Sequence, residues 1–367
     1  TLAFLIEHMP PQMHLVIATR EDPPFPLARL RARSQLAELR AADLRFTAAE
    51  AAEFLNQVMG LSLSEADVAA LEERTEGWIA GLQLAALSMR SHQDVHGFIK
   101  AFAGDNRYIV DYLVEEVLQR QSEATRYFLL QTAILDRLSG PLCAAVTGHP
   151  DSKAQLEALE RGNFFVVPLD DRRHWYRYHH LFAEVLRVHL AADLPEQLSP
   201  LHGRASAWYE QHGSVNDAIH HAIAAQNFER AANLIERAIP EIRRTRQEST
   251  LLGWLRTLPN ELVRNRPVLS AHYAWVLLAQ GEMDGVETRL LDAEQSLDRR
   301  AEENRRPQDQ MGNIVAAEEQ EARRLPGSIA IYRAGHSLAS GNMQATVRYA
   351  QQALELSSEE DYLQRGA

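Results

Sequence analysis

Three tracts of one design punctuate the second half of the chain. They are Gly213-Ser214-Val215-Asn216-Asp217-Ala218, Gly281-Glu282-Met283-Asp284-Gly285-Val286 and Gly341-Asn342-Met343-Gln344-Ala345-Thr346-Val347. Each puts glycine and short polar residues where a chain reverses, because glycine reaches positive φ at little cost. The first two begin at 213 and 281, a separation of two periods of 34. Each tract follows an aromatic segment, Ala207-Trp208-Tyr209, Tyr273-Ala274-Trp275 or Ile331-Tyr332, and precedes one rich in small residues, such as Ala222-Ile223-Ala224 or the Ala350/Ala353 pair. One helix–turn–helix unit cannot bury its own apolar face, so successive units must stack. The period predicts a further turn near 247, where Arg246-Gln247-Glu248-Ser249-Thr250 contains no glycine, so that copy is degenerate. The charged stretch from Leu297 to Pro326 breaks the register and reads as a solvated helix or loop between units.

The first half is organised differently. Met13-His14-Leu15-Val16-Ile17-Ala18-Thr19 is a continuous apolar run after Pro10-Pro11, the pattern of a strand buried on both faces of a parallel sheet. Thr19, Arg20 and Asp22 then fall just past its carboxyl end, the edge where open α/β sheets bind ligands. From residue 47 the pattern is helical. Thr47 and Glu50 have capping-box spacing, Ser64 or Ser62 opens a second helix that Gly77 ends, and a third runs from Ile79 to Met89. Another apolar-periodic helix spans Phe98 to Leu118. Ser122, Gly140-Pro141 and Ser152 then open three shorter helices. Phe164–Leu169 and Trp175–His179 flank the polar turn Asp170-Asp171-Arg172-Arg173, a hairpin signal. Three helices followed by a hairpin is a winged-helix order. Leu181 to Leu190 adds a closing helix.

The chain is thus mainly α, with four expected regions. They are an α/β remnant over 1–46, a helical domain over 47–118, a winged-helix domain over 119–196, and tetratricopeptide-like repeats over 197–367. Composition narrows the function. A net charge of −12 disfavours coating of nucleic acid, which needs clustered Lys and Arg. Only two of the 38 basic residues are lysines, Lys100 and Lys153, and neither lies in a G-x-x-x-x-G-K-[ST] loop. Cys143 stands alone, which excludes an intrachain disulfide and a cysteine zinc site. No apolar run is long enough to span a membrane and no signal peptide is evident, so the expected location is the cytoplasm.

No catalytic constellation is legible, and no metal site is expected. His92 and His96 share a helical face, but no carboxylate sits at motif spacing. Arg20 is the first binding candidate, since a guanidinium fork at a sheet edge suits a terminal phosphate, with an ion pair to Glu21 or Asp22 as the alternative. His179, between hairpin and helix, is the second. It could donate to a phosphate at a domain junction or simply pack there.

These tracts resemble the MalT-like ATP-dependent transcriptional regulators, the large LuxR-family activators among signal-transduction ATPases with numerous domains. The resemblance rests on His14–Arg20 with Asp22-Pro23-Pro24, Leu27–Arg33, Glu38-Leu39-Arg40 with Asp43–Thr47, Thr75-Glu76-Gly77-Trp78 with Gly81–Ala85, and Tyr176–Phe182. It implies an ATPase core, a helical lid, a winged helix, a repeat sensor and a DNA-binding helix-turn-helix. It implies that Arg20 is the sensor arginine, that His179 is the winged-helix histidine that holds ADP, and that Trp78 lies at the lid's contact to the base. There Ile79 stands where the family carries proline. By the same resemblance the Walker A loop would precede Thr1 and the helix-turn-helix would follow Ala367, making this an internal fragment. ATP or ADP with Mg²⁺ would bind the complete protein, a slow ATPase, and this fragment alone would hold neither tightly. An inducer or regulatory protein would bind the repeats and release self-association, with DNA bound only through the absent domain. The alternatives are a repeat scaffold without nucleotide and a helical enzyme using the histidines near 174–180.

Overall fold

The computed structural model describes residues 2–10, 12–19, 22–23, 25–89, 95–101, 107–119, 121–162, 164–304 and 315–356. The chain divides into two compact units, Thr1–Arg204 and Ala205–Ala367.

The first unit opens with the short helices α1 (Leu2–Glu7) and α2 (Leu27–Ala32). Residues 12–19 pair with no strand among the described residues, and Val16 is 92% exposed. The strand expected over 13–19 is therefore absent here. A strand needs a neighbour to take its N–H and C=O groups, and the described residues supply none. Asp22 instead meets Arg40 at 2.5 Å.

Helices α3 (Ala48–Glu53), α4 (Glu65–Thr75) and α5 (Ile79–Met89) follow, with a π-helical turn over Phe54–Val58 extending α3. Their starts are encoded locally. Thr47 Oγ1 accepts the Glu50 N–H while Glu50 returns a bond to the Thr47 N–H, and Ser64 caps α4 through the Asp67 N–H. The stretch expected as one helix over Phe98–Leu118 is described as α6 (Val95–Ala101) and α7 (Arg107–Leu113), with a last turn wound as a π-helix over Val114–Leu118. His92 lies outside the described residues, and His96 meets Asp67 at 2.7 Å.

The winged-helix portion comprises α8 (Glu123–Thr132), α9 (Gly140–Thr147), α10 (Ser152–Arg161), β1 (Val166–Pro168), β2 (Tyr176–Tyr178) and α11 (His180–Asp193). The strands are antiparallel with Val167 opposite Arg177, and Leu138 bridges to Tyr176 on the other edge. Phe128, Leu129, Leu142, Leu156, Tyr176 and Phe182 fill the core beneath this sheet. The Tyr178 hydroxyl is satisfied by Thr132 Oγ1 at 2.6 Å. Cys143 is wholly buried on α9, and burial pushes its thiol up to about 12.

Helix α12 (Pro195–Gln211) leads into the second unit, which is built from α13 (Val215–Ala224), α14 (Phe228–Thr245), α15 (Glu248–Thr257), α16 (Asn260–Arg264), α17 (Pro267–Ala279), α18 (Val286–Asn304), α19 (Val315–Ala339) and α20 (Met343–Leu356). Gly213, Gly281 and Gly341 all take φ between 75° and 79° at the expected reversals. At the degenerate copy Arg246 takes φ 53° itself, and α15 begins at Glu248. The reversals at 213, 246–247 and 281 thus keep the 34-residue interval without a glycine in the middle one. The charged stretch is the end of α18 and the start of α19, with residues 305–314 outside the described set. Leu325 is buried, so α19 rejoins the core before Pro326.

Candidate functional site: the seam between the lid turn and the winged-helix hairpin

The turn after α4 and the segment after β2 are about a hundred residues apart in sequence and meet in the first unit. The turn is built on two left-handed residues, Glu76 at φ 49° and Gly77 at φ 67°. Gly77 closes against Phe46, whose N–H donates to the Gly77 carbonyl at 2.8 Å. A Cβ on Gly77 would stand 2.4 Å from the Phe46 oxygen, so only glycine fits. Glycine was the expected end of α4, yet Glu76 is the residue that takes the left-handed cap.

That conformation turns the Glu76 carboxylate into the hairpin. Arg177 Nη1 and Nη2 donate to its two oxygens at 2.7 and 2.8 Å, the paired-fork geometry that arginine favours. The His180 backbone N–H donates to Oε1 at 3.1 Å, so Glu76 also caps the positive end of α11 from a different element. Arg45 stands 3.3 Å from Oε2. Burial alone would raise the Glu76 carboxyl, but the Arg177 bonds and the surrounding positive groups outweigh it and bring it down to about 2.

His179 is seated beside this pair. Its Nε2 lies 2.9 Å from the Thr75 carbonyl, which also accepts the Trp78 N–H at 2.9 Å. A carbonyl can only accept, so Nε2 carries the proton and Nδ1 is a bare lone pair when the ring is neutral. Nδ1 is buried and has no hydrogen-bond partner. Burial lowers the His179 pKa, with Glu76 opposing in part. The ring packs edge-on against Trp78 and Phe165 at centroid distances of 6.0 and 5.8 Å. Trp78 reaches Phe165 at 5.1 Å and Tyr112 at 5.7 Å. Gly81 leaves it room, since a Cβ there would lie 2.7 Å from Trp78 Cε3. Phe165 is itself left-handed, at φ 55°, and its carbonyl accepts the His179 N–H at 2.8 Å. Two non-glycine residues in this costly region, Glu76 and Phe165, thus sit at one seam, a concentration of strain typical of functional junctions.

Of the residues singled out from sequence, His179 and Trp78 are brought together, and Arg20 lies outside the described residues. Glu76, Arg177 and Phe165 were not singled out. Glu76 and Arg177 sit within the two tracts that carry the resemblance, but no local rule pairs residues 101 apart. In this arrangement His179 does not offer a donor to an anion, because its N–H is spent on Thr75 and its other nitrogen is an enclosed lone pair.

Residues 114–198, from the last turn before α8 to the start of α12, match the MalT winged helix domain family. That part of the chain is similar to the MalT winged helix domain. The MalT-like resemblance read from the sequence stands on that match. Curated relatives include serine/threonine-protein kinase PknK of two Mycobacterium tuberculosis strains and of Mycobacterium bovis, each 35% identical over 300 residues. The alignments cover 80% of this chain and 27% of the kinase, so the chain spans about a quarter of those relatives. Among solved structures, a Signal Transduction ATPase with Numerous Domains protein with a tetratricopeptide repeat sensor from Pyrococcus horikoshii is 16% identical, with a TM-score of 0.45, covering 85% of this chain and 41% of that one. No helix among the described residues is long and apolar enough to cross a membrane.

Proposed function

We propose that this chain is the control segment of a cytoplasmic, MalT-like ATP-dependent regulator. Its four parts are a core remnant over 1–46, a lid over 47–118, a winged helix over 119–196 and a repeat sensor from 197. ADP holds the regulator closed, and ATP together with an inducer bound to the repeats releases self-association and transcription. One observation carries this reading: the MalT-type winged helix is clasped to the lid turn by Glu76, Arg177 and His179. A switch needs a contact that differs between its states, and the specific bonds of this seam support placing that contact here.

ATP or ADP with Mg²⁺ belongs, in this reading, to the longer protein. Nucleotide would supply the charge that one state binds better than the other. Arg20 at the nucleotide's terminal phosphate, Trp78 near the base and His179 at the diphosphate are proposals. For His179 the Thr75 contact and a phosphate contact are mutually exclusive, since both need the Nε2 proton. No step of ATP chemistry is assigned to these residues.

The test uses the longer protein that contains this segment. Sedimentation with ADP, with ATP and without nucleotide should show association that depends on nucleotide. Equal association in all three sinks the switch and leaves the scaffold alternative standing. For Arg20→Ala, unchanged discrimination between ATP and ADP removes the sensor role.

The kinase relatives favour a second reading of the output. A segment 35% identical to this one occupies 27% of a protein named a serine/threonine kinase. The same control segment would then govern phosphorylation in one protein and transcription in another.

A further inference from the structure

The second unit contains a cleft of about 220 Å³ formed by α15, α16, α17 and α18. Leu255, Leu258 and Val263 stand behind it, all three nearly closed to solvent, and its exposed lining is mainly polar. Its rim carries two guanidinium groups, Arg256 and Arg289, with the Tyr273 ring between them, and no carboxylate lines it.

The arginines are held in place but not saturated. Arg289 lies over the Tyr273 ring at 4.8 Å, which fixes its plane. Its one hydrogen bond among the described residues is a long one, Nη1 to Asp292 at 3.3 Å. Asp292 is shared with Arg264, whose Nε stands 3.2 Å away. Arg256 uses Nη2 on Glu282, at 2.6 and 2.8 Å, and also engages the Tyr273 side chain. Three guanidinium groups thus face two carboxylates. The guanidinium groups of Arg256 and Arg289 stand at the mouth of the cleft, on a chain whose net charge is −12.

We propose that this cleft binds a small molecule bearing an oxyanion, a carboxylate or a phosphate, no larger than a single ring. The oxyanion takes the N–H groups that Arg289 does not spend on Asp292, since the arginine fork matches two coplanar acceptor oxygens, with the Arg256 charge beside it. Asn260 at the rim offers a further donor or acceptor. The proposal rests on the reading of the repeats as an inducer sensor and gives that inducer a chemical class.

Calorimetric titration of the whole chain, without nucleotide, with benzoate, glutarate, inorganic phosphate and neutral benzamide tests it. Saturable binding of benzoate or glutarate assigns a carboxylate, and binding of inorganic phosphate alone assigns a phosphate ester. Benzamide is expected not to bind. Arg289→Gln and Arg256→Gln should each weaken binding at least tenfold. Arg289→Lys, which keeps the charge and loses the fork, should weaken it less and covers the case in which a Gln variant fails to fold. No saturable binding by any of the three anions overturns the proposal, as does unchanged affinity in the arginine variants. Nucleotide is absent throughout, so such a failure leaves the nucleotide switch untouched, and an association that ignores nucleotide leaves the cleft untouched.

Discussion

Glu76 serves a guanidinium, a helix terminus and a left-handed turn at once, so its substitution has several readable effects. Glu76→Gln leaves Arg177 half-buried without its fork partner and should lower the stability of the first unit by about 2 kcal/mol, measured by urea unfolding. The acid dependence carries a sign. The carboxyl titrates at about 2 when folded and near 4.5 when unfolded. Its contribution is fully present above about pH 4.5 and disappears as pH falls toward 2, and the Gln variant should lack that acid-labile increment. His179 acts in the same direction in a higher window. Burial depresses its pKa below the ordinary value of 6.5, so its contribution is complete above that pH and declines on acidification. His179→Phe keeps an aromatic ring against Trp78 and removes the titration. Its stability should be flat between pH 5 and 7 and lower at neutral pH by about 1 kcal/mol, the value of the lost Thr75 bond. Gly77→Ala, with its Cβ against the Phe46 oxygen, should cost more than about 2 kcal/mol in the same assay.

The helices show which instructions are local. Thr47 and Ser122 cap helices where the sequence predicts, Ser64 caps α4, and α9 opens at Gly140-Pro141 under the cap of Ser139, because a cap is a bond between residues three apart. The 34-residue interval was legible for the same reason, as a short tract repeated. Where formation depends on a distant partner, sequence reading loses its grip. Residues 13–19 have the composition of a buried strand and pair with none among the described residues. The Glu76–Arg177 fork joins two tracts that were each conspicuous alone, but their meeting is set by how the winged helix packs on α4. Arg246 gives the element-scale experiment. A side chain held at φ 53° where other copies use glycine costs local strain, so Arg246→Gly should raise the thermal stability of the second unit by about 0.5 kcal/mol after the added freedom of the unfolded chain is deducted. Gly213→Ala, at φ 79°, should shift it the other way.

At the scale of the molecule, two units with separate cores imply two unfolding events. Differential scanning calorimetry of the chain should resolve two transitions, and Glu76→Gln should move only the one belonging to residues 1–204, since its partners all lie there. A single transition that shifts as a whole would mean that the units unfold as one. The buried Cys143 makes the seam itself open to observation. It is the chain's one thiol, sealed in the winged-helix core with its ionisation suppressed. A thiol that does not ionise does not react, so the folded chain is silent to maleimide and nitroxide reagents. A cysteine placed at the exposed Glu73 position of α4 and another at the exposed Arg172 in the hairpin turn would then be its only labelled sites. The spectroscopic distance between them would read the separation of α4 and the hairpin directly, without removing a native residue that matters.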